Sequence, residues 1–187
     1  MIELPLWKKL ALIALLLSAV YCLLFIVDLF RADASFNTGE KMQRYGLYEA
    51  AAGYYQRAIN HNSREPRYHR ELAAVLARLG MTDRAAGEAE IAYDLNPKNS
   101  LTIRSLISTY VDLASIDSGY LVRAEELIAE AVDQQPTNPQ LYYEQALIFL
   151  KAEKDEEAAR ALQKSLELKP DYQKARELLE SSQHNPN

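Results

Sequence analysis

The sequence predicts an all-α protein: a right-handed solenoid of helix-turn-helix units, completed by a C-terminal capping helix and preceded by one transmembrane helix. Two observations predict it. Small residues and prolines recur at one spacing through most of the 187 residues, and one apolar stretch near the N-terminus is long enough to cross a bilayer. Arrays of such units present an extended binding surface.

Three series of residues recur on the same spacing. Ala51, Ala85, Ala124 and Ala158 lie 34, 39 and 34 residues apart. The same steps separate Ala58, Ala92, Ala131 and Ser165, and again Ser63, Pro97, Pro136 and Pro170. A period near 34 residues indicates helix-turn-helix units that bury their apolar faces only against neighbouring units.

In this register the chain resembles the tetratricopeptide repeat family, whose units combine spaced Leu, Gly, Tyr, Ala and Phe residues with a closing Pro. The matching residues are Gly39, Ala51, Tyr55 and Ala58 in the first unit, Leu72, Gly80, Ala85, Ala92 and Pro97 in the second, Leu106, Tyr110, Ala124, Ala131 and Pro136 in the third, and Tyr142, Ala146, Phe149, Ala158 and Pro170 in the fourth. The first unit has Ser63 where the others close with Pro. The resemblance implies units at residues 32–65, 66–99, 100–138 and 139–172.

Helical spacing explains the small residues and the prolines in physical terms. Small residues seven apart lie on one face of the second helix of each unit, so its paired helix can approach closely. Proline cannot continue a helix, and it therefore sets the turn to the next unit. The five extra residues of the third unit fall at 115–119, a polar stretch that predicts a longer turn.

The C-terminal residues predict a cap for the array. Residues 173–182 carry Ala175, Leu178 and Leu179 on one side and charged residues on the others. Such a helix covers the last apolar face, as solenoids require for solubility. The polar tail, residues 183–187, is expected to fray.

Residues 10–30 form the apolar stretch, in which Ser18 and Asp28 are the only clearly polar side chains. At about 1.5 Å per residue, a helix of this length crosses a bilayer core of about 30 Å. A short segment, residues 1–9, precedes it. The residues expected to mark the two membrane surfaces are Trp7, Lys8, Lys9 and Arg31.

Three other interpretations of this stretch are less favoured. Ala32-Asp33-Ala34 has the form of a signal-cleavage site and keeps cleavage open, but a cleaved apolar region usually has about 7 to 15 residues. Cys22 is poorly suited to lipid modification because the bulky Tyr21 precedes it, and it is more simply an apolar packing residue. A buried core helix is disfavoured because the repeat array already closes on itself.

Positive charge indicates the orientation. Lys8 and Lys9 lie close before the stretch, whereas Arg31, Lys41 and Arg44 are spread out after it. The positive-inside rule then favours a cytoplasmic N-terminus and extracytoplasmic repeats.

Composition disfavours several functions. The net charge of −5 repels phosphate backbones, so nucleic-acid binding is not expected. His61, His69 and His184 are scattered without ligand spacing, and zinc-protease, serine-hydrolase and phosphate-loop motifs are absent. We therefore expect no enzyme, no catalytic residue and no metal or cofactor site.

The expected function is that of a membrane-anchored scaffold, which binds a protein or peptide in its concave groove and organises a membrane or cell-envelope complex. In tetratricopeptide arrays the first helix of each unit lines the groove, and the resemblance aligns the fifth residues in one ladder. The predicted binding residues are Phe36, Arg67, Arg70, Arg104, Ser108 and Tyr143.

A cationic centre between aromatic ends suggests an acidic partner segment with an aromatic or apolar anchor. The alternative is that Arg70 and Arg104 only pair with acids such as Glu71 and Asp112 on a solvated face.

Two further interpretations come from other resemblances. A membrane span followed directly by repeats, with the joint at residues 64–72, is similar to the C-terminal end of O-antigen ligase-like polysaccharide polymerases. The chain lacks the many spans that carry the transfer site, so this interpretation makes it an accessory or remnant domain. A chaperone-type carboxylate clamp is disfavoured because the ninth residues, Glu40, Ala74, Ser108 and Leu147, lack its Lys and Asn pattern.

Overall fold

A computed structural model describes residues 5–97 and 99–184. Within these ranges the chain forms helices and no strand, as the sequence predicted. The helices are α1 (Leu6–Arg44), α2 (Tyr48–His61), α3 (Pro66–Arg78), α4 (Thr82–Leu95), α5 (Ser100–Leu113), α6 (Gly119–Gln134), α7 (Pro139–Lys151), α8 (Asp155–Leu168) and α9 (Gln173–His184).

The helices pack in pairs that follow the repeat register. The C-terminal part of α1 packs on α2, α3 on α4, α5 on α6, and α7 on α8. The first helices of three units begin with a side-chain cap: Glu65, Asn99 and Asn138 each accept a hydrogen bond from a backbone N–H of the first turn. Pro66 and Pro139 add a fixed φ at the helix start.

The predicted small-residue contacts are confirmed. Every member of the two series that lie in second helices is buried: Ala51, Ala58, Ala85, Ala92, Ala124, Ala131, Ala158 and Ser165. The Ser165 hydroxyl donates a hydrogen bond to the carbonyl of Pro139, 2.7 Å away, which satisfies the only polar member of the set.

The turns inside the units differ in one informative way. Gly46 and Gly80 adopt φ of 74° and 70°, the left-handed region that favours glycine. The fourth unit has Glu153 there, with φ of 58°. In the third unit the turn is longer, and Asp117 accepts a hydrogen bond from the N–H of Gly119 at 2.8 Å.

Helix α1 is one uninterrupted helix of 39 residues. Its most apolar window has a mean hydropathy of 2.9, and none of that window is buried inside the protein. By length and composition α1 can cross a membrane. Its last residues belong to the first repeat, where Ala32, Phe36 and Gly39 are buried.

Helix α9 closes the array. Ala175 is fully buried, and Leu178 and Leu179 pack with it against residues of α7 and α8, the two helices of the fourth unit. The helix continues to His184, two residues past the predicted cap. Residues 185–187 of the predicted tail lie outside the described residues.

Candidate partner-binding site

The predicted binding residues all belong to the first helices of the units, which form one face of the solenoid. We call it the first-helix face, and it is formed by α1 after residue 31 together with α3, α5 and α7. Side chains link neighbouring helices of this face: Arg67 of α3 lies 3.0 Å from Asp33 of α1, and Arg104 of α5 lies 2.7 Å from Glu144 of α7.

Phe36 is not available to a partner, so its assignment to the binding surface is wrong. Only 1% of it is exposed. Its ring centroid lies 5.4 Å from that of Tyr55 and 5.1 Å from that of Tyr68. The guanidinium of Arg67 covers the ring at 4.3 Å. The physical reason is that α2 and α3 both pack on this side of α1 and enclose the fifth residue.

Arg67 holds α3 against α1. Besides covering Phe36, it shares the carboxylate of Asp33 with the hydroxyl of Tyr68, which donates to the same oxygen at 2.7 Å. Burial, reinforced by this hydrogen bond to Asp33, raises the pKa of Tyr68 to about 12. The role visible for Arg67 is therefore structural.

Arg70 is engaged by its neighbour in the chain. Its Nε and Nη2 atoms donate to one oxygen of Glu71 at 3.1 and 3.0 Å, and 18% of its side chain is exposed. Glu71 in turn lines a polar cavity of about 410 Å³ between α1, α2 and α3. Acidic and basic side chains are balanced there: its lining is Glu40, Gln43, Arg44, Tyr48, Tyr55, Glu71 and Arg78.

Arg104 and Ser108 share a cavity of about 240 Å³ between α5 and α7, which we call the α5/α7 cavity. Its remaining lining residues are Ile107, Val111, Glu144, Leu147 and Ile148. The walls are thus mostly aliphatic, with one ion pair and one hydroxyl.

The ion pair of this cavity is partly desolvated. Burial raises the pKa of Glu144, and the positive charge of Arg104 acts in the opposite direction. The Nε atom of Arg104 lies 2.7 Å from a carboxylate oxygen of Glu144, while 41% of the Arg104 side chain stays exposed. The exposed remainder of this planar donor group can meet a carboxylate from a second molecule.

The volume of the α5/α7 cavity limits the size of the group that it can bind. Pockets for drug-sized ligands measure about 300 to 1,000 Å³, above the value found here. A single aliphatic or aromatic side chain of a partner fits the cavity better than a free small molecule.

Tyr143 lies beside the α5/α7 cavity without lining it. Its ring packs on that of Tyr172, with centroids 5.4 Å apart, and it belongs to the core under α9. Of the predicted binding residues, Arg104 and Ser108 therefore share the cavity, whereas Arg70 and Tyr143 do not line it.

Sequence reasoning missed Glu144, Val111 and Leu147. Val111 could have been predicted from the sequence, because it lies three residues after Ser108, which lies four after Arg104, and these spacings put all three on one helix face. Glu144 could not have been predicted, because its pairing with Arg104 depends on how α7 is rotated against α5. The alternative prediction paired Arg104 with Asp112 and Arg70 with Glu71. In the structure Arg104 pairs with Glu144 instead, whereas Arg70 does pair with Glu71.

The predicted anchor residues occupy the two ends of the apolar part of α1. Lys8 places Nζ 5.3 Å from the centre of the Trp7 ring. At the other end Arg31 lies 3.7 Å from Asp28. Among the described residues, no group of three or more His, Cys, Asp or Glu side chains could hold a metal ion.

A family model described as tetratricopeptide repeat matches residues 44–100 and 121–173, more than half of the chain. Solved structures with the same fold include MamA (residue 41 to the end) from Desulfovibrio magneticus RS-1, which is 22% identical, with a TM-score of 0.62 over 82% of this chain and 84% of that chain. The TPR protein TTC0263 of Thermus thermophilus is also 22% identical, with a TM-score of 0.62 over 81% and 80%.

YrrB, described as a TPR protein with an unusual peptide-binding site, is 21% identical, with a TM-score of 0.61 over 80% of this chain and 74% of that chain. No curated protein sequence matches the chain. These comparisons give no support to the weaker resemblance to O-antigen ligase-like polymerases.

Proposed function

This chain belongs to the tetratricopeptide repeat family, and we propose that it is a membrane-anchored scaffold whose first-helix face binds a segment of another protein, so that a membrane or cell-envelope complex is held together. The observation that supports the binding role is the α5/α7 cavity, an aliphatic cavity with the partly exposed side chain of Arg104 at its edge. The proposal is one of binding, without a chemical step.

The cavity indicates the chemistry of the partner segment. An aliphatic or aromatic side chain would be buried against Val111 and Leu147, since apolar anchors contribute most of the energy in such interfaces. A carboxylate next to it would bind the exposed donors of Arg104. Ser108 adds a hydroxyl that can donate to or accept from the backbone of the segment.

The other predicted binding residues flank this centre. Arg70 lies one unit towards the membrane anchor, and its guanidinium is already paired with Glu71. We therefore assign it a weaker part in binding than Arg104. Tyr143 packs on Tyr172 in the core under α9, so we assign it no direct part in binding. The peptide-binding site described for YrrB, which shares the fold, is consistent with a segment as the partner.

The anchor is the second part of the proposal. Residues 10–30 of α1 would cross the bilayer, with the N-terminus in the cytoplasm and the repeats outside it. The supporting observation is that this apolar part of α1 is unburied within the protein, where it would otherwise expose a long apolar surface to water.

The binding test uses the full chain in its own membranes. Leu147→Glu places a charge in the cavity, whereas Gln163→Glu places the same charge on the exposed side of α8. Crosslinking followed by mass spectrometry identifies the bound protein. We expect Leu147→Glu to abolish its capture and Gln163→Glu to preserve it, with unchanged circular dichroism for both. Capture that survives Leu147→Glu would remove the cavity from the binding site.

A further inference from the structure

One edge of the solenoid faces the same way as the membrane anchor. Successive helices alternate in direction, so the turns that follow α2, α4, α6 and α8 lie on one edge. Helix α1 enters the array from that side, because its C-terminal part runs antiparallel to α2. We call this side the anchor edge, and the side with the turns inside the units the opposite edge.

A contact between α1 and α2 fixes the height of the anchor edge. His61, the last residue of α2, has Nδ1 3.3 Å from a carboxylate oxygen of Asp28. Asp28 lies near the end of the apolar stretch, and Arg31 is one turn further on. A cluster of polar side chains that contains the ion pair of Asp28 and Arg31 belongs at the level of the lipid headgroups. With α1 across the bilayer as proposed, the turn between α2 and α3 would lie at the membrane surface.

The next turn on the anchor edge carries exposed apolar side chains. Ile91 and Leu95 lie one helical turn apart on α4, and Leu101 lies in the first turn of α5. Their exposed fractions are 43%, 38% and 53%. The neighbouring turn before α3 presents the exposed cation Arg64.

Exposure alone does not select the anchor edge. The opposite edge has exposed apolar residues too, among them Leu47, Met81 and Ile116. The difference is position: α1 directs the anchor edge towards the bilayer and the opposite edge away from it. Apolar side chains at headgroup level gain by entering the acyl boundary, and cations near them gain from anionic lipid.

We propose that the turn between α4 and α5 is a second membrane contact, in which Leu95 and Leu101 enter the surface of the bilayer that α1 crosses, with Arg64 on lipid headgroups beside it. This inference rests on the proposed anchor. Among the acidic residues near this turn, Glu65 caps α3 and Asp33 is bonded to Arg67 and Tyr68, whereas Asp94 is exposed on α4 next to Leu95.

The contact would fix how the scaffold is presented. With α1 and the α4–α5 turn both held, the repeat array lies along the membrane surface instead of standing away from it. The opposite edge then faces the aqueous phase, and the first-helix face opens sideways, parallel to the bilayer. A partner segment would be captured close to the membrane.

The test places one fluorescent label at a time on the full chain. Cys22→Ala removes the single cysteine, and Leu101→Cys or Ile116→Cys provides one labelling site on the anchor edge or the opposite edge. The proteins are reconstituted in vesicles of phosphatidylcholine and phosphatidylglycerol in equal amounts, and flotation checks that they are bound. Emission is then quenched either by iodide in the water or by spin-labelled lipid.

We expect the label at position 101 to lose iodide quenching and gain lipid quenching, and the label at 116 to behave as in water. A label at Ile91→Cys should likewise be protected from iodide, and adding Leu95→Glu and Leu101→Glu to that protein should restore iodide quenching while it still floats. If the protein floats and iodide quenches both labels equally, the second membrane contact is excluded while the anchor remains supported. Equal protection of both labels would also overturn it. Failure to float would remove the anchor itself and this inference with it.

Discussion

Gly39 of α1 lies directly against the ring of Tyr55 of α2: a Cβ atom on Gly39 would come within 2.6 Å of Cε1 of Tyr55. Tyr55 is completely buried, packs on Phe36 and donates a hydrogen bond from its hydroxyl to Gln43, so its ring is held in place against Gly39. Helix α1 thus meets the repeat domain through a contact that only glycine allows.

The first prediction follows from that contact. Gly39→Ala should lower the free energy of unfolding by about 1 to 3 kcal/mol, because overpacking outweighs the gain in helix propensity. Gly53→Ala is the matched control, since nothing lies within 4 Å of a Cβ at this position of α2. It should raise stability by about 0.5 to 1 kcal/mol. Denaturant unfolding of the purified full chain measures both; equal effects would contradict the packing argument.

The second prediction concerns pH. His69 is buried, with Nδ1 2.6 Å from Glu88 and Nε2 3.0 Å from the carbonyl oxygen of Ser63. Burial alone lowers the pKa of His69, but the hydrogen bonds to Glu88 and Ser63 outweigh it and raise the pKa above 6.5. The stability contributed by this group is therefore fully present below pH 6.5 and is lost as pH rises through the folded-state pKa.

Thermal unfolding measured at a series of pH values from below to above 6.5 checks this pH dependence. The melting temperature should fall across this interval in the wild type, and Glu88→Gln should flatten the fall. Glu49→Gln, an exposed change in α2, should leave the slope as it was. If the Glu88→Gln variant keeps the wild-type slope, the contact between His69 and Glu88 is not the source of the pH dependence.

The third prediction uses the three equivalent turns. Glu153 holds a left-handed φ of 58°, where Gly46 and Gly80 stand in the first two units. Such a conformation costs a residue with a Cβ atom about 1 to 2 kcal/mol, and the greater freedom of glycine in the unfolded chain offsets part of the gain. We expect Glu153→Gly to stabilise the protein modestly and Gly80→Ala to destabilise it. Destabilisation by Glu153→Gly would show that the Glu153 side chain makes a stabilising contact.

The sequence predicted those features that depend on spacing along one chain. The period of Ala51, Ala85, Ala124 and Ala158 specified which helix face is buried, because a period near 34 residues puts equivalent positions in equivalent environments. It did not show that Phe36 is enclosed. The first unit follows directly on the apolar part of α1, and α1 is covered by α2 and α3 in a way that depends on how the helices are rotated against one another.

The candidate site was predictable only in part for the same reason. Arg104 and Ser108 lie on one face of α5 and follow from helical spacing. Their counterpart Glu144 lies on another helix, and no periodicity connects it to Arg104. Side-chain pairs within a repeat can thus be inferred from spacing, whereas pairs between repeats require the superhelical packing.

The fourth prediction tests the orientation. If Lys8 and Lys9 keep the N-terminus in the cytoplasm, protease added to intact cells or spheroplasts should digest the repeats. The protein should also remain in the membrane through high-salt and carbonate washes, since an apolar helix of this length is held by burial in lipid. Complete protection of the repeats until lysis would reverse the orientation, and release by carbonate would exclude the span.

The fifth prediction concerns the continuity of α1. The helix runs from Leu6 to Arg44 without a break, so the span and the first repeat move as one rigid element. A Gly/Ser segment inserted after Arg31 behaves as a random coil and uncouples them. We expect circular dichroism to stay unchanged while crosslinking of the partner in membranes falls. The same segment added after Asn187 is the control and should leave crosslinking intact. Crosslinking that tolerates a long insertion after Arg31 would show that α1 serves only as a tether.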